Sequence, residues 1–111
     1  MPEVKLTKDS DRLICLMYKE YLQRRKAGVA KGKAKSLGSI DDICNTFLPK
    51  ENHENILETC RELGRASMLR NRYASNIIYQ SFLTDEAIIY MENRFKDGLK
   101  GVANFLSQFI P

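Results

Sequence analysis

A single, mainly helical domain with one small β-hairpin is the fold class this sequence predicts. Three observations carry that expectation. Most of the 111 residues lie in segments whose apolar side chains recur at three- and four-residue spacing. One later segment, Ile77-Ile78-Tyr79-Gln80-Ser81-Phe82-Leu83, has strand composition instead. Helix-capping residues, glycine or proline punctuate the boundaries between segments. Length fits one domain over residues 1–111, because compact domains usually hold roughly 100 to 150 residues. With 43% hydrophobic and 29% charged residues the chain has the composition of a soluble globular protein.

The first periodic segment runs from about Asp9 to Lys26. Ser10 or Asp11 caps it, and Leu13, Ile14, Met17, Tyr18 and Tyr21 form a stripe that Cys15, Leu16 and Leu22 widen. A helix apolar around so much of its girth belongs at the centre of a core, and Gly28 ends it. Residues Ala27 to Gly38 read AGVAKGKAKSLG, with three glycines, three lysines and no acid, which predicts a mobile loop or a frayed helical extension. Ser39 to Leu48 forms a short second helix. Ser39 caps it, Asp41 and Asp42 occupy the first turn where the helix dipole favours them, and Pro49 closes it. The third helix spans about Glu51 to Ala66 with Ile56, Leu57, Cys60, Leu63 and Gly64 on one side. Ser67 to Leu83 reads as the hairpin, with a long polar tip from Asn71 to Asn76. Thr84-Asp85-Glu86 starts a further helix that Asp97-Gly98 breaks. A last amphipathic helix covers about residues 98–110, with Leu99, Val102, Ala103, Leu106, Phe109 and Ile110 on one face.

Several function classes drop out early. The longest apolar stretch, Leu13 to Tyr18, is far below the roughly 20 residues that span a bilayer, and Met1 to Asp11 lacks the apolar stretch of a signal peptide. No membrane partner and a cytoplasmic location are therefore expected. Three cysteines (Cys15, Cys44, Cys60) and one histidine satisfy neither a zinc site nor a paired disulfide framework, so each thiol is expected as a small buried hydrophobe. Nucleotide-binding glycine motifs, His-Glu-x-x-His and Gly-x-Ser-x-Gly are missing, and His53 beside Glu51 and Glu54 reads as a solvated residue. The expectation is a non-catalytic protein without cofactor or metal.

Charge is distributed unevenly. The net +4 divides into +6 over residues 1–38, −3 over 39–66, +2 over 67–83 and −1 over 84–111. Arg24, Arg25, Lys26, Lys31, Lys33 and Lys35 place six cations in twelve residues, a pattern that suits phosphate contact because each neutralised phosphate releases counterions. At 100° per residue the third helix turns Glu51, Glu54, Asn55, Glu58, Glu62 and Arg65 outward, an acidic face that would repel a polyanion although Asn55 and Arg65 could read bases. In the hairpin, Arg70, Arg72 and Tyr73 put two cations and an aromatic ring at the tip, suited to backbone or minor-groove contact.

Three helices followed by a hairpin, with Ser39-Ile40-Asp41-Asp42-Ile43 as second helix, Ile56 to Ala66 as third and Arg65-Ala66-Ser67-Met68-Leu69 leading onward, resemble the winged-helix variant of the helix-turn-helix fold. The exit Phe82-Leu83-Thr84-Asp85-Glu86-Ala87-Ile88-Ile89-Tyr90-Met91-Glu92 is similar to the L-T-x-x-G-x-x-Y-x-E pattern of many such proteins, with Ala87 in place of glycine. That resemblance covers about residues 10–95 and implies a winged-helix core, a wing and two C-terminal helices, with double-stranded DNA as ligand and transcription regulation as role. It also implies a homodimer through the last helix (Leu99, Leu106, Phe109, Ile110), whose alternative is that this helix covers the first. The whole chain further resembles small uncharacterised proteins of low-GC Gram-positive bacteria and their mobile elements, which implies no activity. A second function class stays open from the charge pattern: a protein-interaction module whose acidic third helix meets a basic partner, without nucleic acid.

Overall fold

The computed structural model describes residues 4–109. Its elements are α1 (Lys8–Lys26), α2 (Lys31–Ala34), β1 (Ser36–Gly38), α3 (Ile40–Phe47), α4 (His53–Arg65), β2 (Leu69–Ala74), β3 (Ile77–Leu83), α5 (Asp85–Arg94) and α6 (Leu99–Leu106), followed by a 3-10 turn over Ser107–Phe109. The predicted second and third helices are thus α3 and α4. The protein is mainly helical around a three-stranded antiparallel sheet of order β1-β3-β2.

α1 is the axis of the core. Leu13, Ile14, Cys15 and Met17 are fully buried, and α1 packs against α2, α3, α4, α5 and α6. Thr7 caps it, one turn before the residues the sequence suggested, because its hydroxyl accepts the Ser10 N–H. Ser10 itself is buried. At the other end Gly28, at φ +90°, sits in the left-handed position of a Schellman turn: its N–H reaches Arg25 O and the Val29 N–H reaches Arg24 O. α3 starts as expected. Ser39 Oγ accepts the Asp42 N–H while the Asp42 carboxylate accepts the Ser39 N–H, a reciprocal capping box.

Residues 27–38 depart from the expected loop or frayed helix. They fold into α2 and then β1, a strand that pairs with β3 through Ser36↔Phe82 and Gly38↔Ser81. Three residues are too few to show an alternating pattern, and this strand exists only because β3 offers it a free edge. Leu37 and Ala34 are buried, which anchors the segment to the core. The small hairpin is therefore the larger part of a sheet.

The hairpin also differs from its expected form. Asn71 to Ala74 is strand, not a long tip, and the connection is the two-residue turn Ser75-Asn76. Both turn residues have positive φ (51° and 65°), the conformation that matches the twist of a tight hairpin. Polar composition had suggested a loop, but Asn71 is polar for a reason internal to the fold. Its Nδ2 donates to Cys60 O at 2.9 Å and its Oδ1 accepts the Ser81 hydroxyl at 2.7 Å, tying β2 to α4 and β3. Beyond Arg72↔Gln80 the register shifts to Tyr73↔Ile78, leaving Tyr79 as the extra residue of a bulge.

At the C-terminal end of the chain, Thr84 caps α5 and also donates to Ser67 O, fastening the hairpin base. α5 ends before Gly98, whose φ of +62° breaks the path as expected. The last helix is shorter than residues 98–110, stopping at Leu106 before the 3-10 turn. Its apolar face is engaged within the chain: Val102 and Leu106 are buried, Leu99, Phe105 and Phe109 pack against the core, and α6 lies on α1. The edge expected to pair with a second copy is thus largely covered by α1, while Ile110 lies outside the described residues. No helix of the described residues is long and apolar enough to cross a membrane.

Gly64 is where α4 and β2 come closest. A Cβ there would stand 2.9 Å from Asn71 Nδ2, which its two hydrogen-bonded partners hold in place. Gly→Ala in an exposed helix stabilises by about 1 kcal/mol, whereas Gly64→Ala is expected to destabilise by about 1 kcal/mol, because the amide loses part of its bonding. Urea unfolding measures the sign. Burial also pushes the Cys15 and Cys60 thiols up to about 12. Neither is expected to react with a thiol reagent at pH 8 in the folded protein, and both should react after denaturation.

Candidate nucleic-acid interface

α4 begins at Asn52, whose side-chain oxygen accepts the N–H groups of Glu54 and Asn55. Ile56, Thr59, Cys60 and Leu63 face the core, and Leu57 is only half-buried. The outward side is less acidic than its sequence suggests. Glu62 turns onto α1, where it accepts the Ser10 hydroxyl at 2.7 Å and the Thr7 hydroxyl at 2.8 Å. Those two bonds, Ser10 first, hold its carboxyl below the usual carboxylate range. Glu58 lies 3.4 Å from Arg65 and 3.8 Å from Arg61. Glu51, 3.7 Å from Arg12, and Glu54 stand at the N-terminal end, where His53 Nε2 lies 3.0 Å from Asp41.

Arg61 did not stand out in the sequence. Helical-wheel placement puts it between the two faces, yet its long stem carries the guanidinium to the hairpin turn, where it donates to Asn76 O at 3.0 Å. The signal available was its i+3 spacing from Glu58 and i+4 spacing from Arg65, which makes a charged strip on that edge of the helix.

Chain exit from α4 is set by a second Schellman turn. Ser67, at φ +63°, donates to Gly64 O while the Met68 N–H reaches Leu63 O, and the chain turns directly into β2. Between α4 and β2 lies a groove of about 430 Å³ lined by Arg61, Gly64, Arg65, Leu69, Arg70, Asn71 and Tyr73. Arg70 and Arg72 do not sit at the hairpin tip as expected. Alternation along β2 puts them on the outer face of the sheet, each guanidinium 5.9 Å from the centre of the Phe82 ring. Arg70 also lines a second groove of about 460 Å³ with Gly32, Lys35, Phe82, Leu83, Thr84, Asp85 and Glu86. Tyr73 is 47% exposed, and the tip itself presents Ile77 and Tyr79 at 54% and 52%.

The basic run is divided by the fold. Arg24 is a structural residue: it pairs with Glu20 and donates to the carbonyls of Ala34 and Ser36, pinning β1 to α1. Arg25 donates to Val29 O at 3.0 Å. Lys35 is half-buried and bonded to Asp85, which lowers the Asp85 carboxyl. Lys26, Lys31 and Lys33 are exposed. Asn55 is separated from Arg65: it lines a small depression with Asp9, Arg12 and Glu51 at the opposite end of α4. No group of three His, Cys, Asp or Glu among the described residues could hold a metal ion.

Compared with known protein families, with curated proteins and with solved structures, the chain matches none.

Glu62 generates a pH prediction. Its carboxyl lies below the ordinary 4.5, so the stability it contributes is complete above that value and is lost as pH falls through the lowered one. Glu62→Gln is expected to cost about 1 kcal/mol at pH 7 and progressively less as pH falls below the ordinary carboxylate range, measured by denaturant unfolding across that range.

Proposed function

We propose that this protein is a non-catalytic winged-helix module that binds nucleic acid through phosphate contacts from the hairpin, acting as the wing, and from the C-terminal end of α4. The observation that carries the reading is the groove between α4 and β2, lined by Arg61 and Arg65 from the helix and by Tyr73 from the strand, with Arg70 and Arg72 on the outer face of the same sheet. Arg61 and Arg65 share the single carboxylate of Glu58, and an exposed pair of that length is a weak competitor for a phosphate. Arginine suits the task, since its planar fork matches phosphate geometry. The succession of α1, α3 and α4 with the β2–β3 hairpin supports the same reading. Lys31 and Lys33 extend the basic surface beyond Arg70 as secondary phosphate contacts, and regulation is the role this class of fold suggests.

A second reading, a protein-interaction module, is favoured by the exposed Ile77 and Tyr79 at the hairpin tip more than by the acidic residues of α4. Isolated exposed apolar residues are common, so it ranks behind the first.

Fluorescence anisotropy with random-sequence oligonucleotides, duplex and single-stranded, tests the nucleic-acid reading. Affinity is expected to fall steeply with salt, and Arg61→Ala and Arg70→Ala should each reduce the log–log slope by about 0.7 to 0.9. A slope near zero for every oligonucleotide overturns the proposal.

A further inference from the structure

The charge along α4 is polarised, and that polarity bears on which form of nucleic acid the site takes. At the N-terminal end stand Glu54 and Asp41, with His53 already against Asp41, and Glu51, which lies 3.7 Å from Arg12. At the C-terminal end stand Arg61 and Arg65. A helix read by the major groove of a duplex brings its N-terminal residues to the base edges, between two phosphate backbones. Here that end carries carboxylates, so a duplex laid along α4 would meet attraction at one end and repulsion at the other.

The groove offers what one strand needs. Arg61 and Arg65 supply phosphate partners along it, and Tyr73, 47% exposed, stands in its wall. Tyr73 does not swing freely: its hydroxyl lies 3.5 Å from Asn71 Nδ2, and the strand beneath it is held to α4 by the same amide. The bond from Arg61 to Asn76 O fixes the hairpin turn relative to α4, so the groove exists before any ligand arrives. A basic track beside an exposed aromatic ring is the combination by which single strands are bound, phosphates on cations and a base stacked on the ring.

We infer that the preferred ligand is a single-stranded nucleic acid lying between α4 and β2, with a base on Tyr73 and its phosphates on Arg61 and Arg65. This inference rests on the nucleic-acid reading above. Binding of a labelled 12-nucleotide oligothymidylate and of a labelled 12-base-pair duplex to the full chain, at one salt concentration, tests it. The single strand should bind at least about tenfold more tightly. Tyr73→Leu should weaken single-strand binding about fivefold or more while Tyr73→Phe, which also lacks the hydroxyl, retains it. Thermal unfolding of both variants close to that of the parent protein confirms that folding is not the cause. Duplex binding as tight as single-strand binding, or a Tyr73→Leu variant that binds oligothymidylate unchanged, overturns the inference and leaves the nucleic-acid reading standing. If neither oligonucleotide binds, both fall together.

Discussion

The side-chain amide of Asn71 is the contact on which the arrangement of α4 and the sheet depends. It donates to the Cys60 carbonyl of α4 and accepts from Ser81 of β3, so one group joins a helix to two strands. A helical carbonyl is normally shielded by the side chain four residues on; at Cys60 that residue is Gly64, and the missing Cβ lets the amide approach. Ser81 is fully buried, and its hydroxyl would be an unsatisfied polar group without Asn71. The groove between α4 and β2 is therefore a consequence of this junction.

Around α1 a second set of polar contacts sets the positions of the remaining elements. Glu62 of α4 reaches the capped first turn of α1 through Thr7 and Ser10. Asp11, one residue further, pairs with both terminal nitrogens of Arg94 from α5. That guanidinium lies 4.9 Å from the Phe95 ring centre and 4.5 Å from that of Phe105, so the same pair brings α5 and the C-terminal helix onto α1. The Asp11 bond and the neighbouring acidic charge hold Arg94 firmly in its charged form. Arg24 does the corresponding work at the far end, pinning β1. Apolar burial supplies the driving force, and these directional contacts choose one packing among those the apolar stripes would permit.

The same commitments alter the electrostatic surface. Segment charges describe a basic N-terminal third opposed by an acidic third helix, but Arg24 and Lys35 serve the scaffold and Glu62 serves the first turn of α1. What remains near the hairpin is Arg61 and Arg65 at the groove and Arg70 and Arg72 on the outer face of the sheet. A charge that is a linear property of the chain becomes a local property of a groove only after packing decides which ions pair.

The existence of every helix except the four-residue α2 was legible in the sequence because 3.6-residue periodicity and capping chemistry are local. Ser39 with Asp42, Thr84, Gly28 and the break at Gly98 act within a few residues of themselves, and the structure places each where its chemistry predicts. Arg65, Arg70 and Tyr73 were legible as candidates, since their residue types advertise phosphate and base contact. β1, the strand position of Asn71, the structural role of Arg24 and the place of Arg61 were not. Each depends on a partner far along the chain: β1 on β3, Asn71 on Cys60, Arg24 on Ser36, Arg61 on Asn76. By itself the sequence determined the longer helices and which chemistry is present; the tertiary structure alone decided which polar groups meet, because hydrogen bonds and ion pairs are short-ranged in space and indifferent to separation along the chain.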